Sequence, residues 1–177
     1  MSGHNKWSQI QRQKGAADAN KSKVWGKLAR RITVESKLAK GDTSSPALRT
    51  YVEKARKENM PKENIDRAVA KGIGTDAGTM ESVTYESYGP GGAAIIIDAL
   101  TDNRNRTAQD VKHILTKNGL ALAAQGSAAW AFTHQPDGTW EAQTTVPLSD
   151  ADNEALMKIM EDLDSHDDVE EVYTNAE

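Results

Sequence analysis

The stretch Val83-Thr84-Tyr85-Glu86-Ser87-Tyr88-Gly89-Pro90-Gly91-Gly92-Ala93-Ala94-Ile95-Ile96-Ile97 decides the fold of the second half of the chain. Its first six residues alternate and are rich in strand formers, and Gly89-Pro90-Gly91-Gly92 supplies a turn. Ala94 to Ile97 is a continuous apolar strand. Further along, Thr107-Ala108-Gln109-Asp110 reads as a capping box opening a helix through Val111, Ile114 and Leu115, closed by Asn118-Gly119. Ala128 to Phe132 predicts a strand with Trp130 and Phe132 on one face, both expected in the core. Pro136-Asp137-Gly138 turns the chain into a strand over Thr139–Val146. Ser149 with Asp152 caps a last helix carrying Leu156, Ile159, Met160 and Leu163, and Val169–Thr174 is a final strand. After one preliminary strand the order is β-α-β-β-α-β, the ferredoxin-like pattern.

The glycine-rich segment Gly72–Thr79 reads as a linker, and what precedes it reads as helices. Between Lys21 and Lys40, Val24, Leu28 and Ile32 recur at steps of four with Ala39 on the same stripe, while Lys23, Lys27, Arg30 and Lys37 take the flanks. Ser45-Pro46 gives an N-cap and a proline at the first helical position of a second helix marked by Leu48, Val52 and Ala55. Pro61 starts a third, with Ile65, Ala68 and Val69 facing inward and Gly72 at its end. The expected fold class is therefore α+β: a basic arm and three-helix bundle over 1–75, then an acidic ferredoxin-like domain with an extra N-terminal strand over 76–177.

The net charge of −4 conceals a strong polarity. Residues 1–75 hold 17 Lys and Arg against 7 Asp and Glu, a net of +10, whereas residues 76–177 hold 5 against 19, a net of −14. A solvated helix surface explains one lysine-rich helix. It does not explain 10 basic residues against 2 acidic ones from Met1 to Lys40, most without an acidic partner four residues on. The N-terminal arm, with Lys6, Trp7, Arg12 and Lys14, has weak apolar periodicity and suits a segment that orders on a polyanion. Trp7 either stacks on a base or anchors the arm. In the acidic half, Thr101-Asp102-Asn103-Arg104-Asn105-Arg106-Thr107 joins a strand to a helix and carries two of the five basic residues. Two readings stand side by side: a phosphate or carboxylate site, or a turn shaped by Asn103 and Asn105 whose arginines pair with surplus carboxylates.

Other function classes find little support. There is no cysteine, hence no disulfide framework, thiolate chemistry or sulfur-based zinc site. No run reaches the roughly 18 apolar residues of a membrane span, and no signal-peptide pattern opens the chain, so a cytoplasmic, membrane-independent protein is expected. His4, His113, His134 and His166 lack ligand spacing, and Gly89-Pro90-Gly91-Gly92 lacks the Lys-Ser/Thr ending of a phosphate-binding loop. Asp167-Asp168 with Glu170-Glu171 lacks the spacing of a calcium loop and reads as a solvated helix end. No enzyme, metal or cofactor is expected. An RNA-recognition motif needs stacking aromatics on the first and third strands of the repeat; here the first has none and the third only Trp140.

Several segments together resemble the YebC/PmpR family, whose mitochondrial relative is the translational activator of cytochrome c oxidase. They are Gly3–Trp7, Asn59–Ile65, Tyr85–Gly92, Asp102–Thr107 and the ending from Leu163 to Ala176. Where members carry a third domain after the segment matching Gly126–Phe132, only His134 to Gln143 stands here, so the chain resembles a two-domain short form. The resemblance implies a non-enzymatic regulator of gene expression that binds ribosomal RNA as a translation factor or, alternatively, DNA as a transcriptional regulator; a monomer is expected. Ribosomal proteins are further partners for the acidic domain. Carried over, the candidate contacts are Lys6, Trp7, Arg12 and Lys14 of the arm, then Lys21, Lys23, Lys27, Arg30 and Arg31 of the first helix. The loop Asn103, Arg104, Asn105 and Arg106 completes the set.

Overall fold

The computed structural model describes residues 18–74 and 80–177, with side chains from Lys21 onward. They form two compact units: the helices up to Met80 with Pro136–Thr139, and residues 81–135 with 140–177.

In the first unit, α1 (Asp18–Leu38), α2 (Pro46–Lys57) and α3 (Lys62–Ile73) enclose Ile32, Leu48, Ala55, Met60, Ile65 and Ala68. The periodic stripe holds at its centre: Ile32 is fully buried, Leu28 packs against the core, and Val24 is 38% exposed. Pro46 sits in the first turn of α2, but the preceding Ser45 makes no side-chain cap bond. Gly72 lies inside α3 because α1 passes too close for a side chain: a Cβ there would stand 2.4 Å from the Thr33 carbonyl oxygen and 2.7 Å from Ser36 Cβ. The same contact is tied by Thr33 Oγ1 donating to the Ala68 carbonyl at 3.1 Å and Ser36 Oγ donating to Val69 at 2.8 Å. Both α1 and α2 end with a residue in the left-handed region, Lys40 (φ 52°) and Asn59 (φ 57°). The next N–H closes each helix, Gly41 to Ser36 and Met60 to Ala55, both at 2.9 Å.

The second unit comprises β1 (Glu81–Tyr88), β2 (Ala94–Thr101), α4 (Arg104–Lys117), β3 (Phe132–His134), β4 (Trp140–Ala142), α5 (Asp150–Asp164) and β5 (Val169–Thr174). The chain order matches the sequence reading, a preliminary strand followed by β-α-β-β-α-β. The strands nevertheless pair as two sheets: antiparallel β1-β2-β5, and a separate β3-β4 hairpin. Tyr85 stands opposite Ile97, and Ile97 opposite Val172, so the apolar run Ala94–Ile97 is the central strand. Its two faces are both covered, which is why alternation is absent. Ile95, Ile97 and Ala99 pack with Val111, Leu115, Leu156, Ile159, Met160 and Leu163 of α4 and α5. Ala94 and Ile96 pack with Ala128, Ala131, Phe132 and Tyr173. The turn before β2 needs Gly91 (φ 66°), where a Cβ would meet Leu148 Cδ2 at 2.4 Å.

Three local expectations are corrected. Ala128–Phe132 is not a strand: residues Ala129–Ala131 form a 3-10 turn, and β3 begins at Phe132. The cause is Glu86, a buried carboxylate on β1 that draws in the N–H groups of Gly126, Ala128 and Ala129 at 2.6, 2.7 and 2.8 Å. Those donors are then unavailable to a ladder. Phe132 is in the core as expected, whereas Trp130 is 62% exposed. The strand expected over Thr139–Val146 is only Trp140–Ala142, followed by an isolated bridge from Val146 to Ala176. Finally, α4 begins three residues before the expected box: Asn103 is its N-cap and accepts from Arg106 N–H at 3.1 Å. The cap of α5 is as expected, with Asp152 N–H donating to Ser149 Oγ at 3.1 Å.

Candidate nucleic-acid interface

The charge of the first unit is sorted by its helices into surface and structural cations. On α1, Lys21 is exposed, whereas Lys23 and Arg30 are half-buried and Lys27 is only 9% exposed. Arg31 is built into the bundle. Its Nε lies 3.1 Å from Glu35 Oε1, and its guanidinium stands 5.0 Å from the centre of the Tyr51 ring. Lys54 Nζ stands 5.3 Å from the same centre. Two of the five first-helix candidates, Lys27 and Arg31, are therefore largely withdrawn from solvent, because a stripe narrow enough for three helices leaves flanking residues at the seams. The arm candidates Lys6, Trp7, Arg12 and Lys14 lie outside the described residues.

The exposed cations are in large part ones not named among the candidate contacts. Arg56 and Lys57 end α2, Lys62, Arg67 and Lys71 run along α3, Lys37 lies in the last turn of α1, and Lys40 follows it. The run Lys54-Ala55-Arg56-Lys57 was visible as a signal. Its placement in a last helical turn also has a local cause, since cations there are stabilised by the helix dipole. Arg49, also exposed, pairs with Glu53 at 3.0 Å.

In the loop of the second unit both arginines stand beside carboxylates. Arg106 Nη2 sits 2.9 Å from both Asp102 Oδ1 and Asp168 Oδ2, and Arg104 Nη1 is 3.9 Å from Glu81 Oε2. Asn103 caps α4, and Asn105 is exposed. Thr107, expected as a cap, is buried inside α4 with its hydroxyl 2.8 Å from Asp168 Oδ2 and 2.7 Å from Thr101 Oγ1. Asp168 is consequently no solvated helix end but a 7% exposed carboxylate that joins the start of α4 to the start of β5. Burial works to raise its pKa, yet hydrogen bonds from Arg106 and Thr107, with the Arg106 charge, hold it below the ordinary value. The same bonds, Asp168 first and Asp102 second, hold Arg106 more firmly protonated.

Beside this tie a groove of about 480 Å³ runs along α4, lined by Arg106, Asp110, Ile114, Lys117, Asp162 and His166 among others. His166 Nδ1 accepts the Asp168 N–H at 3.1 Å, which leaves Nε2 to carry the proton toward Asp110 Oδ2 at 3.2 Å. Carboxylates outnumber cations along this groove, so it does not suit a phosphate. Among the described residues no group of three or more His, Asp or Glu is placed to hold a metal ion, and no helix is long and apolar enough to cross a membrane.

Comparison with known proteins matches two family descriptions. The description "TACO1/YebC protein N-terminal domain" matches residues 5–75, and "TACO1/YebC second and third domain" matches residues 80–138 and 135–176. The latter two segments meet at the β3–β4 connection. A probable transcriptional regulatory protein from Trichlorobacter lovleyi is 44% identical over 176 residues, covering 98% of this chain and 70% of that protein. Another, from Geotalea uraniireducens, is 52% identical over 134 residues, covering 75% of this chain and 54% of that protein. The crystal structure of a conserved hypothetical protein, Aq1575 from Aquifex aeolicus, superposes with a TM-score of 0.78 at 30% identity, covering 90% of this chain and 91% of that one.

Proposed function

We propose that this chain, which belongs to the TACO1/YebC family, is a non-enzymatic, nucleic-acid-binding regulator of gene expression that works through its basic helical unit. The observation that carries this reading is the polarity of charge, +10 over residues 1–75 against −14 over the rest. Each phosphate neutralised by Lys or Arg releases counterions, so a cluster of exposed cations binds a polyanion without precise geometry. The proposed surface is formed by Lys21, Lys37, Arg56, Lys57, Lys62, Arg67 and Lys71, extended by Lys6, Trp7, Arg12 and Lys14 of the arm.

The target we favour is RNA, with the chain acting on the ribosome as a cytoplasmic translation factor and as a monomer. A reader of duplex sequence lays a helix bearing Arg, Asn or Gln in the major groove. The exposed polar residues of α2 and α3 include no Asn or Gln, and their lysine, arginine and acidic side chains suit a phosphate backbone. The acidic unit would be repelled by a long duplex, and on a ribosome it is free to face a basic ribosomal protein. Duplex DNA at promoters is the second reading, favoured by the names of the Trichlorobacter and Geotalea relatives. Ultraviolet crosslinking in cells, with sequencing of RNA and DNA recovered on the tagged protein, separates the two. Enrichment of ribosomal RNA at a defined site supports the first, and discrete promoter DNA with ribosomal RNA at background supports the second.

A further inference from the structure

The strand side of the second unit presents an aromatic ring that its own fold fixes in place and leaves uncovered. Trp130 is 62% exposed, yet its indole Nε1–H donates to Tyr88 Oη at 2.9 Å, and Tyr88 donates in turn to the Ser127 carbonyl. Beneath them Glu86 fastens the loop through three N–H groups. The ring is held by one edge while most of its surface meets water. A side chain already confined to one orientation loses little entropy on meeting a partner, and Trp and Tyr supply much of the energy at protein interfaces.

Charge selects the kind of partner. All five Lys and Arg of residues 76–177 stand at positions 104, 106, 112, 117 and 158, which belong to α4 and α5. The strands and the whole segment 118–149 contain none, while Glu141 stands opposite Thr133 in the hairpin that follows Trp130. Phosphate is disfavoured there, and a cation is favoured. Guanidinium is the cation that also stacks on an indole face.

We propose that the Tyr88–Trp130 ledge docks an arginine-bearing segment of a basic protein, with a guanidinium stacked on the Trp130 indole. This deepens the suggestion that a basic protein faces the acidic unit, and it rests on that suggestion for its biological setting. The test uses the full chain without nucleic acid, so its failure is separate from failure of the nucleic-acid reading. Isotope-labelled protein is titrated at low salt with an Arg-Gly repeat peptide, a Lys-Gly repeat peptide and oligouridylate, following the indole N–H resonances of the four tryptophans.

The expected result is a saturable shift of the Trp130 resonance by the Arg-Gly peptide, with roughly threefold to tenfold weaker binding of the Lys-Gly peptide. Trp130→Ala weakens the Arg-Gly peptide by the same factor, and Trp130→Phe retains most of the affinity. Should Trp130→Ala prove unstable, the wild-type shift and the Phe variant decide. Equal binding of both peptides with Trp130 unmoved would reduce the effect to general charge attraction and overturn the proposal. A Trp130 shift with oligouridylate and none with peptide would overturn it in favour of a base platform.

Discussion

Single residues in this molecule act through partners far away in sequence. Glu86 is 4% exposed and accepts three backbone N–H groups from the loop 126–129. Glu86→Gln places an amide among donors that need an acceptor, at a cost of about 2–3 kcal/mol. A thermal or urea melt checks this, with Trp130 indole chemical shifts reporting the loosened loop. Asp168 gives the corresponding prediction with pH. Its pKa in the folded chain lies below the ordinary value of 3.8, so its contribution is complete above about pH 4 and lost as the pH falls through the depressed value. Asp168→Asn should therefore be less stable than the wild type by about 1–3 kcal/mol at neutral pH, and the two should converge below about pH 4. Denaturant midpoints across pH measure the convergence. Arg31 belongs with these structural residues: Arg31→Ala should lower the melting temperature through loss of its Glu35 pair and its Tyr51 stacking.

Elements were legible where one local signal dominates. Among the described residues, five helices in the expected order, the central strand at Ala94–Ile97 and the Ser149–Asp152 cap all follow from short-range patterns. The misplaced start of α4 shows where such patterns fail. The sequence pattern puts the cap at Thr107, whereas the structure caps α4 at Asn103, because Asp168 claims the Thr107 hydroxyl from 61 residues away. The strand expected at Ala128–Phe132 failed for the same reason, since its donors go to Glu86, 40 and more residues upstream. Of the candidate contacts, the count of cations was legible. Which of them face solvent was not, because that depends on where three helices meet. Gly72 marks one such meeting. Gly72→Ala gains roughly 1 kcal/mol of helix propensity. It also sets a methyl 2.4 Å from a backbone carbonyl and strains the Thr33 and Ser36 bonds. The clash should win, with a net loss of about 1–3 kcal/mol on calorimetry.

At the scale of the whole molecule, the chain keeps opposite charges in two compact units, and affinity for a polyanion should depend steeply on salt through one of them only. The relatives named above extend beyond it, since it spans 70% of one and 54% of the other. Binding by this chain alone therefore measures what the basic and acidic units accomplish together. Replacing Arg104, which belongs to the second unit, with Gln should leave the salt slope unchanged. The most direct measurement is fluorescence anisotropy of a labelled ribosomal RNA fragment against the full chain over a salt series. The wild type is compared with a variant carrying Arg56→Gln, Lys57→Gln, Arg67→Gln and Lys71→Gln. The account predicts weaker binding at every salt and a slope shallower by up to about three to four phosphate contacts, with the fold intact by circular dichroism. Unchanged affinity and slope in a folded variant would contradict it and move the nucleic-acid surface away from α2 and α3.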